Sequence, residues 1–496
     1  MTNCAYICSD IMKSRGIAGL GISCAFFLVA CLSLLAYLKI PSFLQLAVSR
    51  SGLSPGSFAA DLFSAIPFDI RQNVYMFNIT NSEDFFNGAK PRFKQLGPYI
   101  FRIGLRKQMT WSEGDLLTFR ENRKFWFDAD LSHGHLNDTV YTVDPIYAMA
   151  QEVIDELPEF LERLFRPLLK SRKVLFKHSV DELLYNGYSD SLAELAHLIK
   201  PNLPVIGGKI GYLRAFNDTD DGDITVFAGT NPFTKDKRNL ITQWNHKKTI
   251  PYYGDGCNGI WGANAELFPS FLSSSPPAQI GVFLPLLCRP WSLHFNETRQ
   301  ENGIELARFA TGLDIFSPSN SSQIEQCAQP AGWPRGVFDV RACQHSFPAL
   351  ISLPHFLHSD EKILDAVDGL TPNVTEHDFH LDIFPLLGIP VRPAIRAQIN
   401  VRIWRHLDTS QSNNPPIVYP VLWQEIVLSE SAISYLSTMI WYIILLPETT
   451  LRVILMLLTI LSVSLAVSYA YTSFSKVSDE ETESILASAE DSAASS

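Results

Sequence analysis

The sequence lacks an excess of positive charge. Its 496 residues include 40 Lys and Arg against 51 Asp and Glu, which gives a formal net charge of -11. Proteins that bind nucleic acid carry a basic surface for its phosphates, so nucleic acid is not an expected partner. The mean hydropathy, +0.06, is also too low for a chain that crosses a membrane many times. These two absences exclude a nucleic-acid-binding protein and a transporter with many spans.

Motifs for catalysis and for metal binding are scarce as well. H-E-x-x-H and G-x-x-x-x-G-K-[ST] are absent, and Gly207-Gly208-Lys209 stands without the remainder of a phosphate loop. No cysteine pair has C-x-x-C spacing, so neither a metal nor a cofactor is expected. We predict that the chain is not an enzyme. A membrane-tethered hydrolase is the least favoured of three functional hypotheses, since catalytic groups can converge from distant positions.

Two long apolar stretches, by contrast, stand near the chain ends, Ile17 to Leu38 and Leu451 to Tyr471. At about 1.5 Å per residue each is long enough to cross the roughly 30 Å hydrocarbon core of a bilayer. A cleaved signal peptide would also follow a basic start such as Lys13 and Arg15, but its apolar region spans only about 7 to 15 residues. We therefore favour an uncleaved anchor, and the positive-inside rule places both termini in the cytoplasm.

The predicted domains follow from these two helices. They are a cytoplasmic tail (1–16), a transmembrane helix (17–38), a lumenal or extracellular ectodomain (39–450), a second transmembrane helix (451–471) and a cytoplasmic tail (472–496). All six N-glycosylation sequons fall within the ectodomain, which fits its external location. Their acceptors are Asn78, Asn137, Asn217, Asn296, Asn320 and Asn373.

The eight cysteines divide between compartments. Four lie in the ectodomain, an even number in an oxidising space, which predicts two disulfides more readily than a zinc site. These are Cys257, Cys288, Cys327 and Cys343. Cys4 and Cys8 lie beside the membrane on its cytoplasmic side, where palmitoylation and unmodified thiols are equally open. Cys24 and Cys31 fall within the first helix and are expected only to pack.

Most of the ectodomain has the two-residue period of half-buried strands. The clearest run is Ile395, Ala397, Ile399, Val401 and Ile403, which alternates with Arg396, Gln398, Asn400 and Arg402. Five further strands are predicted, at Asn73–Ile79, Tyr99–Leu105, Leu116–Arg120, Ile224–Ala228 and Asn239–Trp244. So many alternating strands predict a mainly β protein with some α, built on a large antiparallel sheet that closes as a barrel.

The segment from about 144 to 200 changes to a helical period. Its first apolar stripe contains Val153, Leu157, Phe160, Leu161, Leu164 and Leu168, with Pro158 and Pro167 as boundaries or kinks, and a second helix is expected from Asp181 to Ile199. A basic group lies beside the stripe, formed by Arg163, Arg166, Lys170, Arg172, Lys173 and Lys177. This group is either an attractive surface for anionic ligands or a solvated face, and in both cases we expect the cations to be solvated.

Two segments near the C-terminus are also informative. Glu481, Ile485 and Leu486 are similar to an acidic dileucine sorting signal, although an isolated Ile-Leu pair in an acidic tail also occurs by chance. The apolar segment Ile433–Leu446 is too short to span, and Pro447 and Glu448 separate it from Leu451. It is either an interfacial segment with Trp441 and Tyr442 at headgroup level, or part of the base of the ectodomain.

Several segments resemble a known family in the same order along the chain. They are Tyr75 to Arg102 (YMFNITNSEDFFNGAKPRFKQLGPYIFR), Asp221 to Gly229 (DGDITVFAG), Gly256 to Phe271 (GCNGIWGANAELFPSF) and Ile351 to His358 (ISLPHFLH), the last followed by Asp368-Gly369-Leu370. These segments resemble class B scavenger receptors, which include fatty acid translocase, the high-density-lipoprotein receptor, the lysosomal integral membrane protein and insect sensory neuron membrane proteins. Together with the two terminal helices, the resemblance covers nearly the whole chain.

The resemblance implies a barrel crossed by an internal apolar tunnel and capped by a helical apex, here about residues 144–200. It implies ligand binding at that apex, with Arg163, Arg166, Lys170, Arg172 and Lys173 and the apolar Leu157, Phe160 and Leu164 as candidates. It also implies the disulfides Cys257 to Cys327 and Cys288 to Cys343. A third bridge that many vertebrate members carry is missing.

Two binding functions are consistent with this resemblance. The first is a receptor that binds fatty acids, sterols, phospholipids or lipoproteins at the apex and passes lipid through the tunnel toward the membrane. The second is a lysosomal or endosomal sorting receptor for a soluble lumenal protein. The plasma membrane and the membranes of endosomes and lysosomes are both expected locations.

Overall fold

A computed structural model describes residues 19–40, 52–155, 157–170, 172–199, 201, 203–253, 258–270, 276–312, 334–344, 347–403 and 417–494. The chain divides into two compact units. One contains the terminal helices, up to Ala47 and from Thr438, and the other is the body of the protein, Val48–Ser437.

The body is built on one antiparallel sheet. Its chain contains β1 (Ile70–Ile79), β2 (Phe93–Ser112), β3 (Leu116–Phe127), β4 (Thr139–Val143), β5 (Leu175–Ser179), β6 (Tyr188–Ser189), β7 (Lys209–Ile210), β8 (Thr219–Phe227), β9 (Ile241–Trp244), β10 (Gln279–Leu284), β11 (Arg289–Glu301), β12 (Ile304–Ala310), β13 (Phe338–Asp339), β14 (Ala349–Ser352), β15 (His380–Phe384), β16 (Ile389–Ile403) and β17 (Ile417–Leu428). The order of the main path is β10-β11-β12-β15-β16-β17-β1-β2-β3-β8-β9, with β13 and β14 attached to β16. The two pairs β4-β5 and β6-β7 stand apart from it.

A short extended segment joins the two edges of this sheet. The amide of Ile241 in β9 donates to the carbonyl of Gly262, and the next residue, Ala263, bridges Val282 in β10. Only glycine fits at 262, because a Cβ there would lie 2.5 Å from the carbonyl carbon of Gly281 and the backbone has a φ of +95°. The predicted antiparallel, barrel-like sheet is confirmed, and the edge strands are protected from pairing with other chains.

The alternation in β16 differs from a simple division between core and solvent. Gln398 and Asn400, predicted for the polar face, are fully buried. Asn400 donates to the carbonyl of Leu350 and to the hydroxyl of Ser352 in β14, each at 3.0 Å. These polar side chains are buried because β14 pairs with β16 beside them, and the amide of His355, in the turn that follows β14, donates to Gln398 at 2.7 Å. The hydrogen bonds satisfy the buried amides.

The helices of the body are mostly short. They are α2 (Phe58–Ser64), α3 (Ser82–Phe86), α4 (Pro145–Asp155), α5 (Glu159–Lys170), α6 (Val180–Leu183), α7 (Ser191–Ile199), α8 (Glu361–Leu364), α9 (Val374–His377) and α10 (Glu430–Ile440). The single helix predicted from Asp181 to Ile199 is wrong, since α6 and α7 are separated by β6. Gly187, at a φ of +72°, turns the chain between them.

The register of the sheet defines two ends of the body. At one end, which we call the base end, the turn between β2 and β3 lies opposite the end of β8. The start of β1 and the end of β17 lie level with Phe125, near the other end of β3. At the other end the chain leaves β3 at Phe127 and returns in β8 at Thr219, with α4 to α7 between. We call this helical insertion the apex. It lies at the end of the sheet opposite the base.

The terminal unit contains α1 (Gly19–Ile40) and the long α11 (Leu446–Ala494), which follows α10 through the π-helical turn Trp441–Leu445. Both stretches are long and apolar enough to cross a membrane. Small polar side chains join them: the hydroxyls of Ser33 and Thr459 lie 2.7 Å apart, and Ser23 donates to the carbonyl of Ala466. Arg452 pairs with Glu448 at 2.7 Å.

The segment Ile433–Leu446 is part of this helical path. Ile433, Leu436 and Ile440 are buried, whereas Tyr442 and Ile443 are exposed. The expected separation at Pro447 is wrong, because the helix continues through it. The π-helical turn before Pro447 shifts the hydrogen-bond register at the point where proline lacks its amide hydrogen. The segment therefore combines a buried start with an exposed end.

Candidate ligand-binding surface

Helix α5 presents two apolar side chains away from the core. Phe160 and Leu164, one helical turn apart, are 71% and 64% exposed, and Leu157 before the helix is half-buried. Leu169, on another face, is fully buried, and Phe165 packs against the core from a partly buried position. The stripe expected to share one face is thus divided, since Phe160 and Leu164 point to solvent. Together the two side chains form a small exposed apolar patch on α5.

Most cations beside this surface have acidic partners. Arg163 pairs with Glu159 and Arg166 with Glu162, each one helical turn earlier. These pairs neutralise much of the positive charge on α5. Lys173 and Lys177 are exposed, and the ammonium of Lys177 lies 5.6 Å from the ring centre of Tyr141. Lys170 ends α5, and its side chain lies outside the described part of the protein.

Arg172 differs from the rest of the basic group. Its guanidinium binds Asp144, which precedes α4, and lies 2.8 Å from the carboxylate of Asp190, which precedes α7. The hydroxyl of Tyr188 donates to Asp144 at 3.0 Å, and burial together with that carboxylate raises the pKa of Tyr188. The expectation that Arg172 is solvated is wrong, because this side chain joins the starts of two apex helices.

The structure contains a disulfide between Cys288 and Cys343, the pair that the family resemblance implies. It connects the start of β11 to the segment between β13 and β14. Cys257 and Cys327, as well as Cys4 and Cys8, lie outside the described residues. Cys24 and Cys31 are free thiols in α1.

The five described glycosylation acceptors differ in exposure. Asn137, Asn296 and Asn373 are exposed. Asn78 is half-buried and accepts a hydrogen bond from the amide of Tyr141, and Asn217 accepts one from the amide of Phe125. Asn320 lies outside the described residues. In the segment that is similar to a sorting signal, Glu481, Ile485 and Leu486 are exposed on α11.

Sequence reasoning missed a buried ionic cluster inside the sheet. Lys107 of β2 contacts Glu121 of β3 at 2.8 Å and Glu266 at 2.7 Å. Burial and the negative charge of Glu121 raise the pKa of Glu266. The sequence did contain a signal for this cluster. Lys107 lies four residues after the buried Ile103 in β2, and Glu121 lies two residues after the buried Phe119 in β3, so each points to the inward side of its strand. Opposite charges at inward positions of neighbouring strands predict a buried pair.

A pair of buried histidines was missed as well. The rings of His355 and His377 stack at 4.1 Å, and Nε2 of His355 lies 2.7 Å from the side-chain oxygen of Gln95. The Nδ1 atoms accept the amide hydrogens of Thr371 and Asn373. Burial lowers the pKa of His355 to about 3 and that of His377 to about 4. Neutral imidazoles therefore hold the backbone of the segment 371–373, and the described residues contain no cluster that fits a metal ion.

A cavity of about 600 Å³ lies at the base end of the body. Its lining joins Lys235 and Asp236, from the loop between β8 and β9, to Phe268, Gln279 and Ile280. Apolar side chains such as Leu240 and Phe268 share the lining with polar ones such as Ser270 and Gln279. The volume falls within the range of about 300 to 1,000 Å³ that is typical of small-molecule sites.

One sequence pattern associated with hydrolases does occur. Gly52-Leu53-Ser54-Pro55-Gly56 matches G-x-S-x-G. The nucleophile elbow of α/β-hydrolases requires a helix directly after the serine, whereas here Pro55 follows and α2 begins only at Phe58. The match therefore does not make Ser54 a candidate nucleophile.

Comparison with known proteins agrees with this architecture. The model of the CD36 family matches residues 22–472. Scavenger receptor class B member 1 of Mus musculus is 28% identical over 83% of this chain and 81% of its own. Lysosome membrane protein 2 of Homo sapiens is 28% identical over 84% and 89%, and Protein peste of Drosophila melanogaster 28% over 78% and 70%. The chain belongs to the CD36 family, which confirms the resemblance and indicates a scavenger-type receptor.

Proposed function

We propose that this protein is a class B scavenger-type receptor, anchored by α1 and α11, that captures lipids or lipoproteins at the apex and passes lipid toward its own membrane. The observation that carries the proposal is the exposed apolar pair Phe160 and Leu164 on α5. These side chains would insert into the surface of a lipid particle, with Arg163 and Lys173 near its anionic headgroups.

Three further features support transfer of lipid. A relative is named as a scavenger receptor, and the family model covers α1 from residue 22 and α11 up to residue 472. The base end carries the cavity beside Lys235 and Phe268, whose lining includes the apolar Leu240 and Ile280. Burial of a chain contributes about 0.8 kcal/mol per CH₂ group, so a lipid needs few polar contacts to remain inside such a cavity.

The proposal is tested with the full-length protein in cells and with phospholipid particles. Phe160→Ser combined with Leu164→Ser should lower particle affinity roughly tenfold, because two apolar anchors no longer leave water. Val374→Ser, which removes an exposed apolar side chain from α9, is the matched control and should bind like the wild type. Wild-type affinity of the double variant at normal surface expression would contradict capture by α5.

A sorting receptor for a soluble lumenal protein is the second candidate. Lysosome membrane protein 2 is among the relatives, and Ile485 and Leu486 are 65% and 61% exposed. In this function the α5 surface binds protein rather than lipid. Purified soluble proteins captured by the wild type, and not by the α5 double variant, would favour this candidate if lipid particles bind both chains equally.

A further inference from the structure

An exposed tryptophan lies along the outer face of the sheet, the face opposite the core. Trp126, next to the last residue of β3, is 50% exposed. Its ring reaches over Gly104 of β2, where a Cβ would lie 2.7 Å from two of the ring carbons. Glycine at this position therefore leaves the room in which the ring rests on the neighbouring strand. The rest of the indole is an aromatic surface open to contact.

The glycosylation acceptor Asn217 lies directly beside this end of β3. Its Oδ1 accepts the amide hydrogen of Phe125 at 3.1 Å, and the amide of the next residue, Asp218, donates to the carbonyl of Arg123 at 2.8 Å. Because the oxygen is the bonded atom, the nitrogen that would carry a sugar points away from that amide. No hydrogen bond within the described part of the chain engages this nitrogen, whereas Nδ2 of Asn78 donates to a backbone carbonyl.

The surroundings of Asn217 define the side on which a glycan can extend. On the inner side the rings of Phe125 and Tyr185 stack with their centres 4.9 Å apart, and both pack against the core. A sugar on Asn217 therefore extends over the outer side, where Trp126 lies. The ring of Trp126 lies over β2, about 10 Å or two strand spacings from the segment that carries Asn217. The two GlcNAc residues at the root of an N-glycan span such a distance.

We propose that Asn217 carries an N-glycan whose first two sugars pack on Trp126 and form a fixed part of the sheet surface. The C–H groups of a pyranose ring stack on the face of the indole, and the contact removes apolar area of the ring from water. The ammonium of Lys124, 5.9 Å from the centre of this ring, would donate to oxygens of the sugar.

This contact would connect the two strands that carry the apex. The chain leaves the sheet for the apex at the end of β3 and returns at the start of β8, two residues after Asn217. A glycan attached beside β8 and packed on Trp126 of β3 therefore crosses both connections. The inference rests on the external location expected of the body, and it does not depend on the proposed lipid binding.

Site-resolved deglycosylation of the folded, full-length protein tests the proposal. The protein is made in cells that retain high-mannose glycans and is treated in detergent with endoglycosidase H, which cuts between the first two GlcNAc residues. Mass spectrometry of the glycopeptides gives a cleavage rate at Asn217 and at the exposed acceptors Asn137, Asn296 and Asn373, which are internal controls. Trp126→Ala removes the aromatic surface, and Trp126→Phe is the matched variant that retains one.

We expect cleavage at Asn217 in the wild type to be about fivefold slower than at the exposed acceptors, an order that one aromatic stacking contact supports. Trp126→Ala should remove this difference and Trp126→Phe should retain most of it, with unchanged rates at the control sites in both variants. An Asn217 without a glycan, or equal rates at all sites in the wild type, would overturn the proposal. Slow cleavage at Asn217 that persists in Trp126→Ala would overturn it too, because other groups would then protect the sugar.

Discussion

Lys107 and Glu121 face each other in register across β2 and β3 and form a 2.8 Å ion pair inside the sheet. The ring of Phe63 lies 4.7 Å from the same ammonium. A second carboxylate, from Glu266, contacts Lys107 from a segment beyond β9. One lysine therefore holds together parts of the chain that are far apart in sequence.

Removal of that lysine should be costly. Lys107→Met leaves two buried carboxylates without their shared cation, and we expect the free energy of unfolding to fall by about 3 to 5 kcal/mol. Thermal or denaturant unfolding of the full-length protein in detergent measures this loss. Lys124→Met, on the exposed side of β3, is the matched control and should change stability by less than about 0.5 kcal/mol. Equal effects of the two substitutions would show that the cluster contributes nothing specific.

Glu266 should make stability depend on pH. Its pKa is raised in the folded protein, so the folded state holds a proton that the unfolded chain releases above its ordinary value of 4.5. The contribution of this group is fully present below that value and is lost as the pH rises toward about 7. Glu266→Gln should therefore reduce the gain in Tm, relative to the wild type, on going from pH 7.5 to pH 5. If the Tm of the two proteins changes by the same amount between pH 7.5 and pH 5, Glu266 is not a buried acid with a raised pKa.

Arg172 and Lys173 are adjacent cations with different environments. Arg172→Met breaks the contacts with Asp144 and Asp190, and we expect a loss of about 3 kcal/mol in unfolding free energy. Lys173→Met removes an exposed charge and should leave stability within about 0.5 kcal/mol of the wild type. Denaturant titration compares them. If both substitutions are neutral, Arg172 does not hold the apex helices together.

The exposed pair Ile485 and Leu486 gives a prediction about location. Changing both residues to alanine should move the protein from endosomes and lysosomes to the cell surface, if the pair binds a sorting adaptor. Surface biotinylation and imaging measure the shift, and Ser484→Ala in the same segment is the control. An unchanged distribution would make the motif a coincidence and favour a plasma-membrane receptor.

The sequence predicted the terminal helices and the antiparallel sheet because apolar runs and period-two alternation are local properties. It did not predict that Gln398 and Asn400 are buried, since their partners in β14 and in the turn that follows it are distant in sequence. It also predicted one helix where Gly187 divides the chain. Helix propensities summed over a segment do not show that one residue in the left-handed conformation redirects the backbone.

The candidate surface was predictable only in part. The helical period identified Phe160 and Leu164 as one apolar face of the helix but did not show that this face is exposed, and the buried Leu169 lies outside the predicted stripe. The cluster of basic residues in the sequence identified Arg172. It did not identify the acidic partners of this residue, Asp144 and Asp190, which lie elsewhere in the chain.

The most direct measurement of the proposed function is lipid transfer by the full-length protein reconstituted in vesicles. Donor particles carry a fluorescent sterol, and its arrival in the vesicle membrane is followed over time. We predict faster transfer into vesicles with the wild-type protein than into protein-free vesicles, and a rate reduced roughly tenfold for the Phe160→Ser, Leu164→Ser variant under limiting donor. Transfer by the wild type no faster than into protein-free vesicles would contradict a lipid-transferring receptor.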